Sequence, residues 1–134
     1  MCGLVLMIVA GMSACGREVD PASWTELQRV RSGALDVVVL SPSGAALRRG
    51  NGPFTIEFRA ASDGRLLDVG NVRASASMPM PGMPMFGTID VQRSSVPGRY
   101  AANGSFEMAG TWRVTVEWDG GERPGSVSFS GTVQ

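Results

Sequence analysis

Three features of the sequence predict an all-β protein, an immunoglobulin-like Greek-key β-sandwich of about seven strands. Apolar and polar residues alternate with a period of two, turn dipeptides separate the alternating runs, and the runs recur roughly every ten to fifteen residues. Leu35-Asp36-Val37-Val38-Val39-Leu40 opens the series, and a turn-rich connection follows as far as Pro53. Phe54, Ile56 and Phe58 then alternate with Thr55, Glu57 and Arg59, as expected of a strand with one buried face. Asp63-Gly64 marks a turn, arms follow at 71–77 and 86–93, and Pro97-Gly98 leads into Arg99-Tyr100-Ala101-Ala102. Asn103-Gly104 reads as another turn. Trp112, Val114, Val116 and Trp118 form the clearest alternation, Asp119-Gly120-Gly121 turns the chain back, and Val127, Phe129 and Val133 line the last strand.

The predicted core is Val37, Val39, Phe54, Ile56, Phe58, Val72, Ile89, Val91, Trp112, Val114, Val116, Val127 and Phe129. Asp36, Glu57, Asp90 and Glu117 fall on the other parity and are expected on solvated faces.

Upstream of the strands, residues 4–12 are an apolar run too short to span a bilayer, with the character of a signal-peptide core. It runs into Met12-Ser13-Ala14-Cys15-Gly16, which resembles a bacterial lipobox: an apolar residue, two small residues, then the cysteine that is acylated. Residues 1–14 are therefore expected to be a lipoprotein signal peptide, 15–33 a lipidated N-terminus and tether, and 34–134 the sandwich domain. Cys15 is the expected lipidation site. Because Gly16 rather than aspartate follows it, an outer-membrane anchor facing the periplasm is favoured in a Gram-negative host. In the tether, Asp20 can cap a short helix, Pro21 suits its first turn and Gly33 its end, with Trp24, Leu27 and Arg31 on one face. A flexible spacer is the alternative.

Composition removes most chemistries. The chain has 134 residues, no histidine, 2 cysteines and 12 basic residues, every one an arginine. Histidine triads, Cys–His pairs, Schiff-base or phosphate-loop lysines and His/Cys zinc sites are excluded. An enzyme is not expected, and no small-molecule substrate is indicated. A formal net charge of +0 gives no sign of nucleic-acid binding.

What remains is Ser77-Met78-Pro79-Met80-Pro81-Gly82-Met83-Pro84-Met85-Phe86, which holds four of the 8 methionines. Pro81-Gly82 fits the central positions of a type II turn. If that turn closes a hairpin, Met80 faces Met83, Met78 faces Met85, and Pro79 opposes Pro84 where neither missing N–H breaks the ladder. The register continues through Ser77 and Phe86, Ala76 and Gly87, Ser75 and Thr88, Ala74 and Ile89, Arg73 and Asp90, and Val72 and Val91. Residues two apart share a face, so the four thioethers gather on one side.

The run Met78 to Met85, the segment Phe54-Thr55-Ile56-Glu57-Phe58, and Gly98-Arg99-Tyr100 followed by Met108-Ala109-Gly110-Thr111-Trp112 together resemble the YtkA-like/FixH-like family of exported immunoglobulin-like domains. The resemblance covers roughly residues 34–133. It implies a periplasmic role beside copper-handling or heavy-metal efflux proteins, which are the implied partners together with the membrane that holds the anchor.

Thioethers are soft, neutral ligands that select Cu(I) or Ag(I). Met78, Met80, Met83 and Met85, with Met108 approaching the same end, are the candidate ligands, and Cu(I) is the one candidate cofactor. The competing reading needs no metal. The same side chains can roof the sandwich or form an adaptable docking surface for another protein.

Overall fold

The computed structural model describes residues 24–42 and 47–134. Eight strands make up the fold: β1 (Thr25–Ser32), β2 (Leu35–Ser41), β3 (Gly50–Ala60), β4 (Val72–Met78), β5 (Met85–Arg93), β6 (Arg99–Phe106), β7 (Gly110–Trp118) and β8 (Gly125–Val133). They form one antiparallel sheet in the order β1-β2-β3-β6-β5-β4-β7-β8. The meander β4-β5-β6 is flanked by β7, which returns beside β4, and by β3 beside β6, so the expected Greek key is present. The sheet curls until its two edges approach. β1 contacts β8, and Leu47 makes a short parallel bridge to Val133.

Inward parity fills the space between the two halves. Phe58 of β3 meets Trp118 of β7 edge-on at 5.3 Å, and Phe106 of β6 meets Trp112 of β7 at 5.4 Å. Every predicted core residue is buried except Val91, which packs half-buried against the cluster. Leu47, Val69, Tyr100, Ala102, Phe106, Trp118 and Val133 join them. Each large apolar side chain contributes roughly 1.5–3 kcal/mol on burial.

Four expectations are corrected. Residues 25–32 are a strand, not a helical tether: β1 pairs with β2 from Thr25↔Ser41 to Ser32↔Leu35. A β-bulge between Glu26 and Gln28 breaks its alternation and leaves Leu27 and Val30 three apart, which imitates helical spacing. Asp36 and Glu57 are not solvated. Glu57 is 1% exposed and accepts hydrogen bonds from Arg59 Nη2 (2.9 Å) and Arg99 Nε (3.1 Å). Asp36 lies under Arg31 (3.0 Å) and Arg29 (3.3 Å). Arginines from the neighbouring strands, with Arg59 of β3 itself, thus cover both carboxylates and offset their desolvation. Asn103-Gly104 is not a turn but lies within β6, where Gly104 leaves room for the Phe106 ring: a Cβ there would fall 2.4 Å from Phe106 Cε2. Arg73 meets Glu117 of β7 at 3.8 Å rather than pairing with Asp90. Residues 1–23, including Cys15 and the cap at Asp20, lie outside the described residues.

Because all neighbours are antiparallel, the strand ends sort into two groups. Thr25, Ser41, Gly50, Met78, Met85, Phe106, Gly110 and Val133 lie at one end of the sandwich. Loops 33–34, 61–71, 94–98 and 119–124 lie at the other.

Candidate functional site: a methionine hairpin

The β4–β5 hairpin has the expected register. Met78↔Met85, Ser77↔Phe86, Ala76↔Gly87, Ser75↔Thr88 and Ala74↔Ile89 are paired. The ladder stops at Met78↔Met85, and residues 79–84 form the loop. At its centre the Met83 N–H donates to Met80 O at 3.4 Å, with Gly82 at φ 82°. That is a type II turn built on Pro81-Gly82. Such a turn splays the strands it joins. Here the splay is taken up between the ladder and the turn, where Pro79 and Pro84 have no N–H to lose.

Burial then grades the sulfurs. Met78 is 9% exposed and belongs to the core cluster. Its methyl lies where a Cβ on Gly110 would sit 2.9 Å from Cε, so the glycine at the start of β7 makes its seat. Met85 is half-buried against the same cluster. Met80 and Met83, 41% and 78% exposed, project beyond it. Met108 is 41% exposed, and its carbonyl accepts the Trp112 Nε1–H bond at 3.0 Å. It stands two residues before Gly110 and therefore at the same end as Met78. The structure thus brings Met78 opposite Met85 and Met80 across the turn from Met83: one buried and one half-buried methionine at the end of the ladder, and two exposed ones at the turn.

Sequence reasoning missed Phe86. It sits opposite Ser77 on the outer face and is 74% exposed. The signal was present: an aromatic at a polar-parity position with no core to enter. Together Met80, Met83, Phe86 and Met108 are the large apolar side chains that the structure exposes among the described residues.

Electrostatically the hairpin is blank, since no charged residue occurs between Ala74 and Ile89. The perturbed carboxylates lie elsewhere. The Gly70 N–H holds the Asp68 carboxyl below its usual range, the Asn71 N–H does the same for Asp119, and the Arg31 guanidinium for Asp36. Burial pushes the Tyr100 phenol up. No cluster of His, Cys, Asp or Glu able to hold a metal exists among the described residues. The side-chain donors that loop 79–84 and its flanking pair Met78 and Met85 offer are thioethers.

An all-β Greek-key domain with an exposed Met-Pro hairpin defines the class of protein. The YtkA-like family matches residues 31–117, well over half the chain, and the chain belongs to that family. Among solved structures, a DUF4426 family protein from Pseudomonas aeruginosa is similar with a TM-score of 0.57 at 21% identity, covering 80% of this chain and 93% of that one. FetP from uropathogenic Escherichia coli, as isolated, gives a TM-score of 0.52 at 12% identity, covering 81% of this chain and 95% of that one. A copper-bound variant of FetP gives a TM-score of 0.49 at 14% identity, covering 81% and 96%. The first two likenesses establish the fold. No curated protein matches the sequence.

Proposed function

We infer that this is an exported, lipid-anchored domain of the cell envelope. Its methionine hairpin holds a soft monovalent ion, Cu(I) or Ag(I), in periplasmic copper handling or efflux. The observation that carries this reading is the register. Met78↔Met85 and the Met80–Met83 turn stack two facing thioether pairs at one end of the sheet. Directly opposed residues have Cβ atoms only about 4.5–5.5 Å apart, close enough for their side chains to reach one ion.

The donor set fits the cargo. Thioethers bind soft ions without giving up a proton, so uptake is expected to be flat with pH across about 5–8. The exposed Met80 and Met83 meet the ion first, and the half-buried Met85 and buried Met78 lie beneath them. Neutral ligands on a short loop make a weak, exchangeable site, which suits transfer to a partner rather than storage. Loop 79–84 holds only methionine, proline and glycine, so the reading is of a carrier.

The test is a titration with Cu(I) against a competing chelator, comparing the protein with M78L/M80L/M83L/M85L. Leucine keeps the bulk at a cost expected to be below about 1.5 kcal/mol per buried site. The parent is expected to take up about one ion per chain and the variant none. Equal uptake by the two proteins overturns the reading.

One observation favours a second function for the same tip. Phe86 is 74% exposed and has no part in a sulfur site, so this end also carries a contact surface that needs no metal.

A further inference from the structure

We propose that the methionine end of the sandwich faces the bilayer and dips into its interface, with Met80, Met83, Phe86 and Met108 as the lipid-contacting side chains. The inference rests on the anchored reading given above but not on copper.

Topology supplies the first argument. The first described strand begins at Thr25, and Thr25 lies at the same end as Met78, Met85 and Gly110. Only nine residues lie between Cys15 and Thr25. Those ten steps along the chain span at most about 35 Å even when fully extended. An acyl anchor at Cys15 therefore keeps this end of the sandwich within about 35 Å of the membrane, and the surface of that end turns it, rather than loops 61–71 and 119–124, to the lipid.

The surface supplies the second. The four side chains named are the exposed large apolar residues among the described residues, and all of them sit at the tethered end. The stretch from Ala74 to Ile89 carries no charge to be desolvated. Its outermost loop, 79–84, is methionine, proline and glycine throughout. An apolar projection of this kind binds by burying its side chains at the boundary between headgroups and acyl chains.

Charge supplies the third. Among the described residues, the connections at the tethered end (42, 47–49, 79–84 and 107–109) carry Arg48, Arg49 and Glu107, a net of +1. The tether 16–24 adds Arg17, Glu18 and Asp20, a net of −1. The Arg49 N–H donates to Gln134 O at 2.7 Å, which fixes this pair at the tethered end. The connections at the far end carry Asp63, Arg65, Asp68, Asp119, Glu122 and Arg123, a net of −2. The neutral, apolar end thus points toward a surface of anionic lipid and the acidic end, which that surface repels, toward water.

The experiment uses the full chain extracted from membranes and reconstituted, without metal, into phosphatidylcholine/phosphatidylglycerol vesicles carrying shallow bromines. F86W and S62W, both at exposed positions and at opposite ends, are compared with the parent. The added indole of F86W is expected to emit to the blue and lose at least half its intensity to the bromines. That of S62W is expected to emit as in water and be unaffected. On the unsubstituted chain, vesicles are expected to slow amide exchange of Met80 and Met83 tenfold or more, with no change at Gly64. An F86W signal that stays solvent-like and unquenched, with unchanged exchange at Met80 and Met83, overturns the proposal. It does so even if the protein sediments with the vesicles, which would leave the anchor intact. Loss of Cu(I) uptake has no bearing on either readout, so the two readings fail separately.

Discussion

At the end of the sandwich that carries loops 61–71, 94–98 and 119–124, side chains tie the connections down. The Tyr100 hydroxyl donates to Gly70 O at 2.8 Å and accepts from the Val69 N–H at 3.4 Å. The Asp119 carboxylate accepts from the Asn71 N–H (2.9 Å) and from Asn71 Nδ2 (3.2 Å), and Arg93 reaches Asp68 at 3.0 Å. At the other end, loop 79–84 is closed across its turn by the 3.4 Å bond from Met83 to Met80. The far-end loops are therefore held by specific side-chain contacts, whereas at the methionine end the contrast lies in loop 79–84. That loop is shaped by proline and glycine backbone preferences and carries soft, polarizable side chains that adapt to what they touch. The difference separates scaffold from working surface: changes at the tied end should cost stability, and changes at the methionine end should cost binding.

Glycine substitutions test the difference between the two ends directly. Gly98 has φ 87°, and a Cβ there would lie 2.7 Å from Leu67 N and 2.8 Å from Leu67 O, both backbone atoms. G98A combines left-handed strain with a clash that only a loop shift relieves, so a loss of about 2–5 kcal/mol is expected. Gly82 has nearly the same φ, 82°, but nothing within 4 Å of its Cβ position. G82A should cost only the left-handed strain, about 1–2 kcal/mol. Urea unfolding of both variants measures this. Equal losses would mean that loop packing at the far end contributes nothing.

Within the hairpin, a contrast at least as large separates the buried methionine from the exposed one. Met78 fills the space over Gly110, so M78A is expected to lose about 2–5 kcal/mol through lost burial and a cavity. Met83 is 78% exposed, and M83A should change stability by no more than about 0.5 kcal/mol. The thermal midpoints of the two variants report it. A substantial loss in M83A would show that the tip packs into the fold rather than presenting a surface.

Both ends were legible in the sequence to different degrees. The hairpin register followed from local facts alone: one Pro-Gly turn, two opposed prolines and alternation that aligned along both arms. The core of β7 was equally plain because four apolar residues kept strict parity. What stayed hidden depends on non-local partners. Glu57 and Asp36 look solvated until Arg99 of β6 and Arg29 and Arg31 of β1 are brought over them. β1 was misread because its bulge destroys the one periodicity that marks a strand. At the candidate site, the sequence supplied the four methionines but not their ranking. That ranking depends on Gly110, which is 32 residues from Met78 in the chain and touches its methyl in the fold.

The smallest expected effect is on pH, and it should be confined to one end. The folded Asp119 and Asp68 carboxyls titrate below the ordinary value of 3.8, because backbone N–H groups of Asn71 and Gly70 bond their charged forms. A carboxyl lowered on folding adds stability that is present above its unfolded value and is lost as pH falls through the folded one. The loops at the tied end should therefore hold through pH 5 and loosen progressively below about 4. The hairpin has no titrating group between Ala74 and Ile89 and should not respond. Amide-exchange protection factors at Gly70 and Asn71 are expected to fall between pH 5 and pH 3, while that of Met83, already weakly protected, stays level. A parallel fall at both ends would mean that acid acts on the whole sandwich at once, and that the polar contacts around Asp119 and Asp68 do not hold their end independently.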